Sequence, residues 1–387
     1  MGSRRPTVAA RNRDRTALVQ AGRGGAEAPP QATTPMQRSL LHLVTMLMAL
    51  ALSPGAENSY DTGTTHWFNF ITLVWGDPSQ LLQPTDWVLA AFAAWLGMVY
   101  VQANGRPLAH GSIRVYAYGV RKFYETCGIS FDLKSCTRYK AVMKALSKVS
   151  DPVKRVMPVT AEMVYLMLGL PLLGWEDEVF QVSVALGFFF LLRVGEIYET
   201  SSYRSSGASV RQLRMQDLEF TDANHRPLVV VTEADARRAR FLHLNVHAAK
   251  NDQMWLGCLR LAEASGRAQD CVVYRAARFV ALAKGRGQLP HEPLLQGGGG
   301  MAADDTWFRS SLKKVLGTLV LASGEHVDPS LFNTHSMRAG GATRLFNLGK
   351  RPEFIAMLGR WASDAVLNYI RTTDFELFHN VAAAMAF

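Results

Sequence analysis

The chain has 387 residues and is therefore long enough for two domains with separate hydrophobic cores. Hydrophobic residues make up 48% of the sequence and charged residues 19%, a balance typical of globular proteins that excludes a chain disordered throughout. The net charge of +10 favours a polyanionic partner. The cysteines lack CxxC spacing and the histidines lack an HExxH motif. These absences indicate a reducing compartment and no structural zinc, and they disfavour a metal-dependent hydrolase.

Residues 1–35 have the composition of a disordered basic tail. They hold six arginines against two acidic residues, with clusters of Gly, Ala and Pro and no apolar periodicity. An arginine-rich, acid-poor start is also typical of an organellar transit peptide, and that alternative stays open. The apolar run Leu40–Leu52 that follows is too short to cross a bilayer, so we expect a buried helix that ends before Pro54.

A small helical unit is predicted over residues 36–155. Apolar residues at helical spacing predict four helices: 58–75, Trp87–Val101, Gly111–Cys127 and Cys136–Val149. Asp86 directly precedes the second of these helices and is a candidate N-terminal cap for it. A proline-punctuated stretch from Asp151 to Pro158 then interrupts the helical pattern, which places a domain boundary near residue 155.

Positive charge is concentrated in the same unit. Residues 101–160 carry eleven Lys and Arg residues against three acidic residues, a local charge of +8. Lys140, Lys144 and Lys148 recur every four residues on the last predicted helix, which places them on one face. Such a stripe is either a solvated basic face or a surface that follows a phosphate backbone, and the second interpretation fits the charge of the whole unit better.

The second part of the chain begins with two predicted helices, Thr160–Leu170 and Trp175–Leu192. The latter is almost wholly apolar and is therefore expected at the centre of a core. It ends at Arg193, whose guanidinium must be balanced by a carboxylate, by carbonyl groups or by a bound anion, because a bare buried charge is strongly unfavourable. An ion pair with Glu196 or Glu199 is the purely structural alternative.

The hydrophobic period changes from helix-like to strand-like between residues 213 and 260. The β-like segments are Leu213–Phe220, Leu228–Thr232 and Phe241–Val246, and an arginine-rich polar turn separates the last two. A polar connection follows, and together these segments predict a three-stranded antiparallel sheet with Lys250 at a hairpin tip. By itself, a lysine in a loop is usually a solvated charge. Two further helices are predicted, Cys271–Lys284 and Thr306–Leu321.

A His, an Arg, a Trp and a Tyr lie in fixed order within 35 residues near the end, from 335 to 369. Two amphipathic helices with polar faces would by themselves explain this run. With two basic residues upstream, the full series is Arg193, Lys250, His335, Arg338, Trp361 and Tyr369. This series resembles the catalytic set of the tyrosine recombinase (phage integrase) superfamily, which runs Arg, Lys, His-x-x-Arg, His or Trp, and Tyr.

The resemblance covers roughly residues 36–380 and is carried mainly by the motifs LLRVGEI, THSMRAGGAT and LGRWASDAVLNYIR. The Lys-Asn-Asp-Gln run at 250–253, the Gly-Arg-Trp and the terminal Tyr-Ile-Arg look most like the DIRS-like and crypton-like recombinases of eukaryotic mobile elements. The resemblance implies a mainly α fold with a small antiparallel β-sheet. It also implies a two-domain, C-shaped DNA clamp, with a helical core-binding domain at 36–155 and an α+β catalytic domain at 156–387.

The family's catalytic roles transfer to matching residues. Tyr369 would be the nucleophile that forms a 3′-phosphotyrosyl bond, and Arg193 and Arg338 would hold the scissile phosphate. Lys250 would protonate the leaving 5′-oxygen, and His335 would hydrogen-bond the phosphate or assist proton transfer.

The position that holds His or Trp in the family is ambiguous in this sequence. Trp361 has the matching residue type and would pack there and donate its indole N–H. However, it lies eight residues before Tyr369, one fewer than the usual spacing, and strict spacing selects Arg360. We therefore predict Trp361 and keep Arg360 as the alternative. Glu196 matches an acid that commonly follows the first Arg, with an orienting or structural role.

The resemblance also implies the partners. Double-stranded DNA is the expected substrate, without cofactor or metal, and a homotetramer would assemble on it through the apolar segment after Tyr369. The basic residues expected to contact DNA are Arg114, Arg121, Lys122, Arg138, Lys140, Lys144 and Lys148. A nuclear location follows from the eukaryotic relatives alone, with organellar and bacterial cytoplasmic locations open. The alternatives are a catalytically silent, domesticated DNA-binding protein and a type IB topoisomerase-like enzyme.

Overall fold

A computed structural model describes residues 35–36, 39–40, 54–76, 84–103, 105–150, 156–198, 212–247, 257–268, 270–300, 303–361 and 363–371. The chain divides into two compact units, Met1–Val153 and Lys154–Phe387. Four predictions lie wholly or mostly outside the described residues: the basic tail 1–35, the helix Leu40–Leu52, the hairpin tip with Lys250, and the apolar segment after Tyr369.

The described part of the first unit is helical. Its helices are α1 (Pro54–Trp75), α2 (Asp86–Ala94, continued by five π-helical residues, Trp95–Val99), α3 (His110–Thr126) and α4 (Thr137–Val149). The core centres on Trp67, which is fully buried and packs edge-on against Phe92, with ring centroids 5.1 Å apart. The indole N–H of Trp67 donates to the hydroxyl of Tyr124 at 3.2 Å, so the polar ends of both large rings are satisfied inside the core.

Two glycines let α1 and α3 pack backbone to backbone. A Cβ added at Gly63 would lie 2.5 Å from the Cα of Tyr116, and one added at Gly119 would lie 2.7 Å from the Cα of Tyr60. Real Cβ contacts are never this short, so any side chain at either position would push the helices apart. Helix pairing in this unit therefore depends on small residues that a hydrophobic pattern does not reveal.

The sequence suggested that Asp86 caps the helix that it precedes, but the structure shows otherwise. Thr85 caps α2 instead, because its hydroxyl accepts from the backbone N–H of Val88 at 3.3 Å. The Asp86 carboxylate accepts from the backbone N–H groups of Arg138 and Tyr139, at 3.0 and 2.9 Å, at the start of α4. It thereby joins two helices through residues that are 52 and 53 positions apart in sequence, an interaction that local capping rules do not predict.

The second unit is an α+β assembly. Its helices are α5 (Ala161–Leu168), α6 (Trp175–Phe189), α7 (Val194–Ile197), α8 (Glu233–Arg238), α9 (Val272–Gly285), α10 (Asp305–Leu316), α11 (His335–Asn347) and α12 (Pro352–Gly359), with 3₁₀ turns at Met215–Asp217, Pro329–Leu331 and Asp364–Asn368. Helix α6 runs through the centre, since every residue from 179 to 188 is buried. Its buried polar side chains are bonded: Ser183 donates to the carbonyl of Val179, and Gln181 donates to that of Leu170.

The sheet has four strands rather than the three predicted. They are β1 (Leu218–Thr221), β2 (Pro227–Leu228), β3 (Phe241–Val246) and β4 (Cys258–Glu263), all antiparallel in the order β2-β1-β3-β4. The predicted strand Leu228–Thr232 stops after its first residue, and the arginine-rich turn contains α8. The reason is a capping box: the Thr232 hydroxyl accepts from the backbone N–H of Asp235 at 3.2 Å, and the Asp235 carboxylate accepts from that of Thr232 at 2.9 Å.

The prediction of a mainly helical chain with a small antiparallel sheet is confirmed. Helix ends were less well predicted than helix positions: α6 ends three residues before Leu192, and α10 ends five residues before Leu321. Within the described ranges, no helix has the length and apolar content needed to cross a bilayer.

Candidate active site

Four segments of the second unit that are distant in sequence meet around one buried carboxylate. Arg193 precedes α7, Arg338 lies in the first turn of α11, Arg360 ends α12, and Tyr369 follows the last 3₁₀ turn. The carboxylate belongs to Glu196, whose side chain is 2% exposed. The structure therefore brings together both predicted phosphate-binding arginines, the predicted nucleophile, and the two neighbouring residues 360 and 361.

The abrupt turn that follows α6 positions Arg193. The chain leaves this helix through Leu191, which adopts the left-handed conformation with φ of 50°, and then starts α7. The Glu196 carboxylate accepts from the backbone N–H of Arg193 at 2.8 Å and from its Nη1 at 2.9 Å. The ion pair considered as a structural alternative is thus present, but it is only part of a larger cluster. Glu199 lies outside the described residues.

Arg338 is fully buried because α11 packs unusually closely on its neighbours. A Cβ at Gly340 would collide with the carbonyl oxygen of Val159, and one at Gly341 would collide with that of Phe188. The Gly-Gly pair of the THSMRAGGAT motif therefore lets the backbone of α11 approach α6 closely. Arg338, two residues before the pair, has 0% exposure. The motif specifies close packing as well as a catalytic residue type.

The guanidinium of Arg338 is held by main-chain oxygens. Its Nη1 donates to the carbonyl of Leu191 and its Nη2 to that of Gly359, while Nε has no partner among the described residues. Burial, followed by the charges of Arg193 and Arg360, lowers the pKa of Arg338 to about 9, although Glu196 opposes the shift. The side chain remains protonated at neutral pH, but the surrounding positive charge makes an anion favourable there.

Arg360 forms the other ion pair with Glu196. Its Nη2 lies 2.6 Å from Glu196 Oε2, and its side chain is only 8% exposed. The residue closes α12 in the left-handed conformation, with φ of 59°, where glycine is usual and other residues cost roughly 1–2 kcal/mol. Such strain is often found at functional sites. The Nε of Arg360 is buried and also lacks a partner among the described residues.

The C-terminal turn of α12 positions these arginines. Arg260 on β4 donates to the carbonyls of Met357 and Leu358 at 3.0 and 3.3 Å, Arg338 donates to that of Gly359, and Arg193 Nη2 lies 3.5 Å from that of Arg360. Cations at a helix C-terminus are favoured by the helix dipole. Arg260 was missed in the sequence, where its only distinguishing feature is its position between two leucines.

Trp361 and Tyr369 contact the cluster from the side. The Arg338 guanidinium carbon lies 3.9 Å from the centroid of the Trp361 ring and 5.6 Å from that of the Tyr369 ring. The two rings contact each other with centroids 4.8 Å apart. The carbonyl of Tyr369 accepts from the Thr343 hydroxyl at 3.2 Å, which anchors the end of the 3₁₀ turn to α11. The aromatic pair therefore covers the buried guanidinium.

Two predicted catalytic residues remain, His335 and Lys250, and the structure describes only the first of them. His335 begins α11 with an exposed side chain, and its backbone N–H donates to Asn333 Oδ1 at 2.8 Å. Lys250 lies outside the described residues. At the end of β3, three residues before it, His247 Nε2 lies 2.7 Å from Oδ1 of buried Asp217.

The charge balance of the cluster determines its chemistry. Three guanidinium groups surround one carboxylate, which leaves a net charge of +2 in a largely buried site. Burying excess charge is costly unless a ligand of opposite sign compensates it. Planar guanidinium groups match the oxygens of a phosphate, and a phenol lies beside them. The arrangement can thus bind a phosphate group and present a tyrosine to it.

A metal ion would need a group of suitable ligands. Among the residues that the structure describes, no three His, Cys, Asp or Glu side chains gather in a way that could hold one.

The predicted DNA-binding residues of the first unit lie on α3 and α4. Lys140, Lys144 and Lys148 are exposed along α4. Two arginines have acidic partners: Arg121 pairs with Glu125 at 2.7 Å, and Arg138 pairs with Asp86 at 3.4 Å. Within the described ranges, no salt bridge involves the three lysines, Arg114 or Lys122.

No protein-family model matches the sequence, and no curated protein does. Solved structures are similar over most of the chain. A XerH site-specific recombinase in a post-cleavage complex with its palindromic difH substrate has a TM-score of 0.52 at 12% identity, covering 96% of this chain and 94% of XerH. A Tn1549 transposon integrase with circular intermediate DNA has a TM-score of 0.46 at 14% identity, covering 78% and 85%.

A lambda integrase dimer bound to a COC′ core site has a TM-score of 0.45 at 12% identity, covering 96% of this chain and 82% of that one. At such identities the similarity to XerH concerns the fold, and it extends over nearly the whole length of both proteins. The chain shares its fold with the XerH site-specific recombinase.

Proposed function

We propose that this protein is a site-specific DNA recombinase or integrase that cleaves and rejoins DNA through a covalent tyrosine intermediate. The observation that carries the proposal is the buried cluster of Arg193, Arg338 and Arg360 beside Tyr369. Glu196 neutralises only one of its three charges, and a bound anion would compensate the remaining positive charge. The fold supports the same conclusion, since it is shared with a recombinase over almost the whole chain.

The proposed reaction is a transesterification at one phosphodiester. The Tyr369 hydroxyl gives up its proton to His335 or to solvent, and its oxygen forms a bond to phosphorus. The bond between phosphorus and the 5′-oxygen breaks, and the 5′-hydroxyl leaves with a proton from Lys250. The product is a 3′-phosphotyrosyl bond, which conserves the energy of the phosphodiester for rejoining. Arg193 and Arg338 neutralise the non-bridging oxygens, and His335 assists at the phosphate. Fixed charges of this kind stabilise the transition state without reorganisation.

The basic helices of the first unit would supply most of the DNA affinity. Exposed lysines at four-residue spacing can follow a phosphate backbone, and such contacts carry little sequence information. The mobile-element role, the homotetramer formed through the apolar segment after Tyr369, and the nuclear location rest on the family resemblance alone.

The test is covalent capture from a randomised duplex library, because the target sequence is unknown. Wild-type protein is incubated with the library and denatured in SDS, and the DNA that remains attached is sequenced. We expect Tyr369→Phe to abolish attachment and Tyr165→Phe, which alters an exposed tyrosine of the same unit, to leave it unchanged. An adduct that survives Tyr369→Phe would refute the nucleophile assignment.

Other outcomes of the same experiment distinguish the alternatives. Tight DNA binding without any adduct would indicate a catalytically silent DNA-binding protein. Plasmid relaxation by a strictly monomeric protein would indicate a topoisomerase-like enzyme. An enriched sequence recovered from the adducts would support site-specific recombination and provide the substrate for further tests.

A further inference from the structure

Arg360 and Trp361, the two candidates for the family's His or Trp position, make different contacts in the structure. Its guanidinium shares the Glu196 carboxylate with Arg193, at 2.6 and 2.9 Å. Trp361, the residue with the matching type, instead packs its ring on Arg338 at 3.9 Å. The two adjacent residues therefore enter the cluster in different ways: one as a charged group within it, and the other as an apolar cover.

Hydrogen-bond donors remain in the cluster after all described contacts are made. Arg338 donates through Nη1 and Nη2 to two carbonyls, and Arg360 donates through the same atoms to Glu196, Leu191 and Leu358. The Nε atoms of both arginines are buried and have no partner among the described residues. Both side chains are more than nine-tenths buried, so water does not readily satisfy these donors. Unpaired donors on two adjacent cations point to a missing acceptor with several oxygens.

We propose that Arg360 is a third phosphate-binding side chain of the active site, and that Trp361 is a positioning residue that packs on Arg338. The proposal rests on the proposed function and deepens it. Spacing agrees with it, because Arg360 lies nine residues before Tyr369 (360 to 369), where the family has His or Trp. A histidine or tryptophan there donates one hydrogen bond, whereas an arginine adds a permanent charge.

The additional charge matches what the reaction needs. A phosphodiester carries one negative charge, and attack by a phenolate produces a five-coordinate transition state that carries two. Among the arginines and Glu196 alone, Arg193 and Arg338 would leave a net charge of +1, which matches the substrate. Arg360 raises it to +2, which matches the transition state. Interactions that are stronger in the transition state than in the ground state are those that accelerate a reaction.

Glu196 has a defined part in this arrangement. Its two carboxylate oxygens hold Arg193 and Arg360 side by side, so it fixes the geometry of the two cations but neutralises only one of them. The left-handed backbone at residue 360 brings the guanidinium back toward α7 from the end of α12. Glu196 is therefore a positioning residue, and Arg360 is the group that contacts the phosphate.

The test compares two DNA substrates of the captured sequence, each nicked beside the cleavage site. One carries the natural phosphodiester, and the other a methylphosphonate in which methyl replaces a non-bridging oxygen and removes its charge. We expect Arg360→Gln to slow single-turnover adduct formation roughly 10²–10³-fold on the phosphodiester. On the methylphosphonate the loss should shrink to less than about tenfold, because there is less charge to stabilise. Arg351→Gln, an exposed arginine at the other end of α12, is the matched control.

A purely structural role for Arg360 gives a different result. Arg360→Gln would then slow both substrates by the same factor, and that outcome would overturn the proposal. Rates are normalised to the fraction of active protein, taken from the adduct yield at completion. Should Arg360→Gln fail to fold, Arg360→Lys is tested by the same comparison of the rate losses on the two substrates. Lysine keeps the charge but loses the Nε donor and the planar geometry.

Trp361 provides the complementary comparison. Trp361→Phe keeps a ring on Arg338 and removes the indole N–H, so we expect less than a tenfold loss, equal on both substrates. A loss on the phosphodiester alone would instead assign the phosphate contact to Trp361. Failure of the proposed function is distinct from either result, because it appears as the absence of any Tyr369-dependent adduct with wild-type protein.

Discussion

The two units of this protein hold their positive charges in opposite ways. In the first unit, lysines stand exposed along α4 and have no acidic partners in the described part of the chain. In the second, arginines are buried, fixed by backbone carbonyls, and gathered around one carboxylate. Exposed, mobile charges suit binding that tolerates any sequence, whereas fixed, desolvated charges suit catalysis at one atom. The net charge of a region does not reveal its role. The burial of its charged side chains and their hydrogen-bond partners do.

The largest expected effect tests the buried arginines of the second unit. Arg338→Lys keeps the charge but loses the planar fork, in which Nη1 and Nη2 reach two separate carbonyls while Nε remains available to a ligand. We therefore expect adduct formation to fall by roughly 10³-fold. DNA affinity, measured by fluorescence anisotropy, should change by less than about threefold, because phosphate contacts elsewhere dominate it. Equal losses in affinity and in rate would show that the cluster is an ordinary binding surface.

For the exposed lysines of the first unit we expect the reverse: their loss should lower DNA affinity and leave the rate unchanged. Replacing Lys140, Lys144 and Lys148 together by Gln should weaken DNA binding roughly 10–100-fold near physiological salt and reduce the salt dependence of affinity by about 2.7 in slope. The rate of adduct formation at saturating DNA should be unchanged. Lys350→Gln, an exposed lysine of the second unit, serves as the control for loss of charge alone. A reduced rate at saturation would contradict the division of roles.

The first unit also contains a fixed charge, and it is a negative one. The Asp86 carboxylate bonds the N-terminus of α4, as the arginines bond the C-terminus of α12. Asp86→Ala should destabilise the unit by about 1 kcal/mol, the usual effect of a lost cap, in chemical denaturation at neutral pH. Although burial opposes the shift, N–H donors from Tyr139 and Arg138 lower the pKa of Asp86. Its contribution is therefore present above the unfolded pKa and is lost in acid, where mutant and wild type should converge.

The smallest effect concerns anion binding without DNA. Because burial lowers the pKa of Arg338 to about 9, the protonated guanidinium destabilises the fold at neutral pH, and this penalty falls only as pH rises above 9. An oxyanion at the site offsets the penalty. Tungstate at a few times its dissociation constant should raise the unfolding free energy of wild type by about 1 kcal/mol. Arg338→Lys should show less stabilisation at matched ionic strength, whereas Lys144→Gln should behave as wild type.

Much of the fold could be predicted from the sequence because its elements are locally encoded. The amphipathic pattern placed α3 and α4 within one residue of their observed ends. Where predictions were wrong, a contact distant in sequence or a capping interaction decided the structure. Asp86 bonds the start of α4 at a residue 52 positions away, and the capping box at Thr232 begins a helix inside a segment with strand-like composition.

The site was predictable in its residue types but not in its geometry. The order of Arg193, Arg338 and Tyr369 identified residues that the structure gathers in one place. Which of residues 360 and 361 contacts Glu196 depends on a left-handed turn at the end of α12, and an arginine in that conformation has no sequence signature. Arg260 was also hidden, because its partners are carbonyl oxygens, which every residue possesses.

That dependence on carbonyl oxygens has a consequence for how the site can evolve. A side-chain ligand can be deleted by one codon change, but the oxygens of Met357 and Leu358 remain whatever residues occupy those positions. The turn that orders the arginines is thus expected to tolerate drift at both sites. Gly359 is the exception, since a Cβ there would collide with the ring of Trp361. In a lineage under relaxed selection, we expect the guanidinium groups to disappear before the scaffold that orients them.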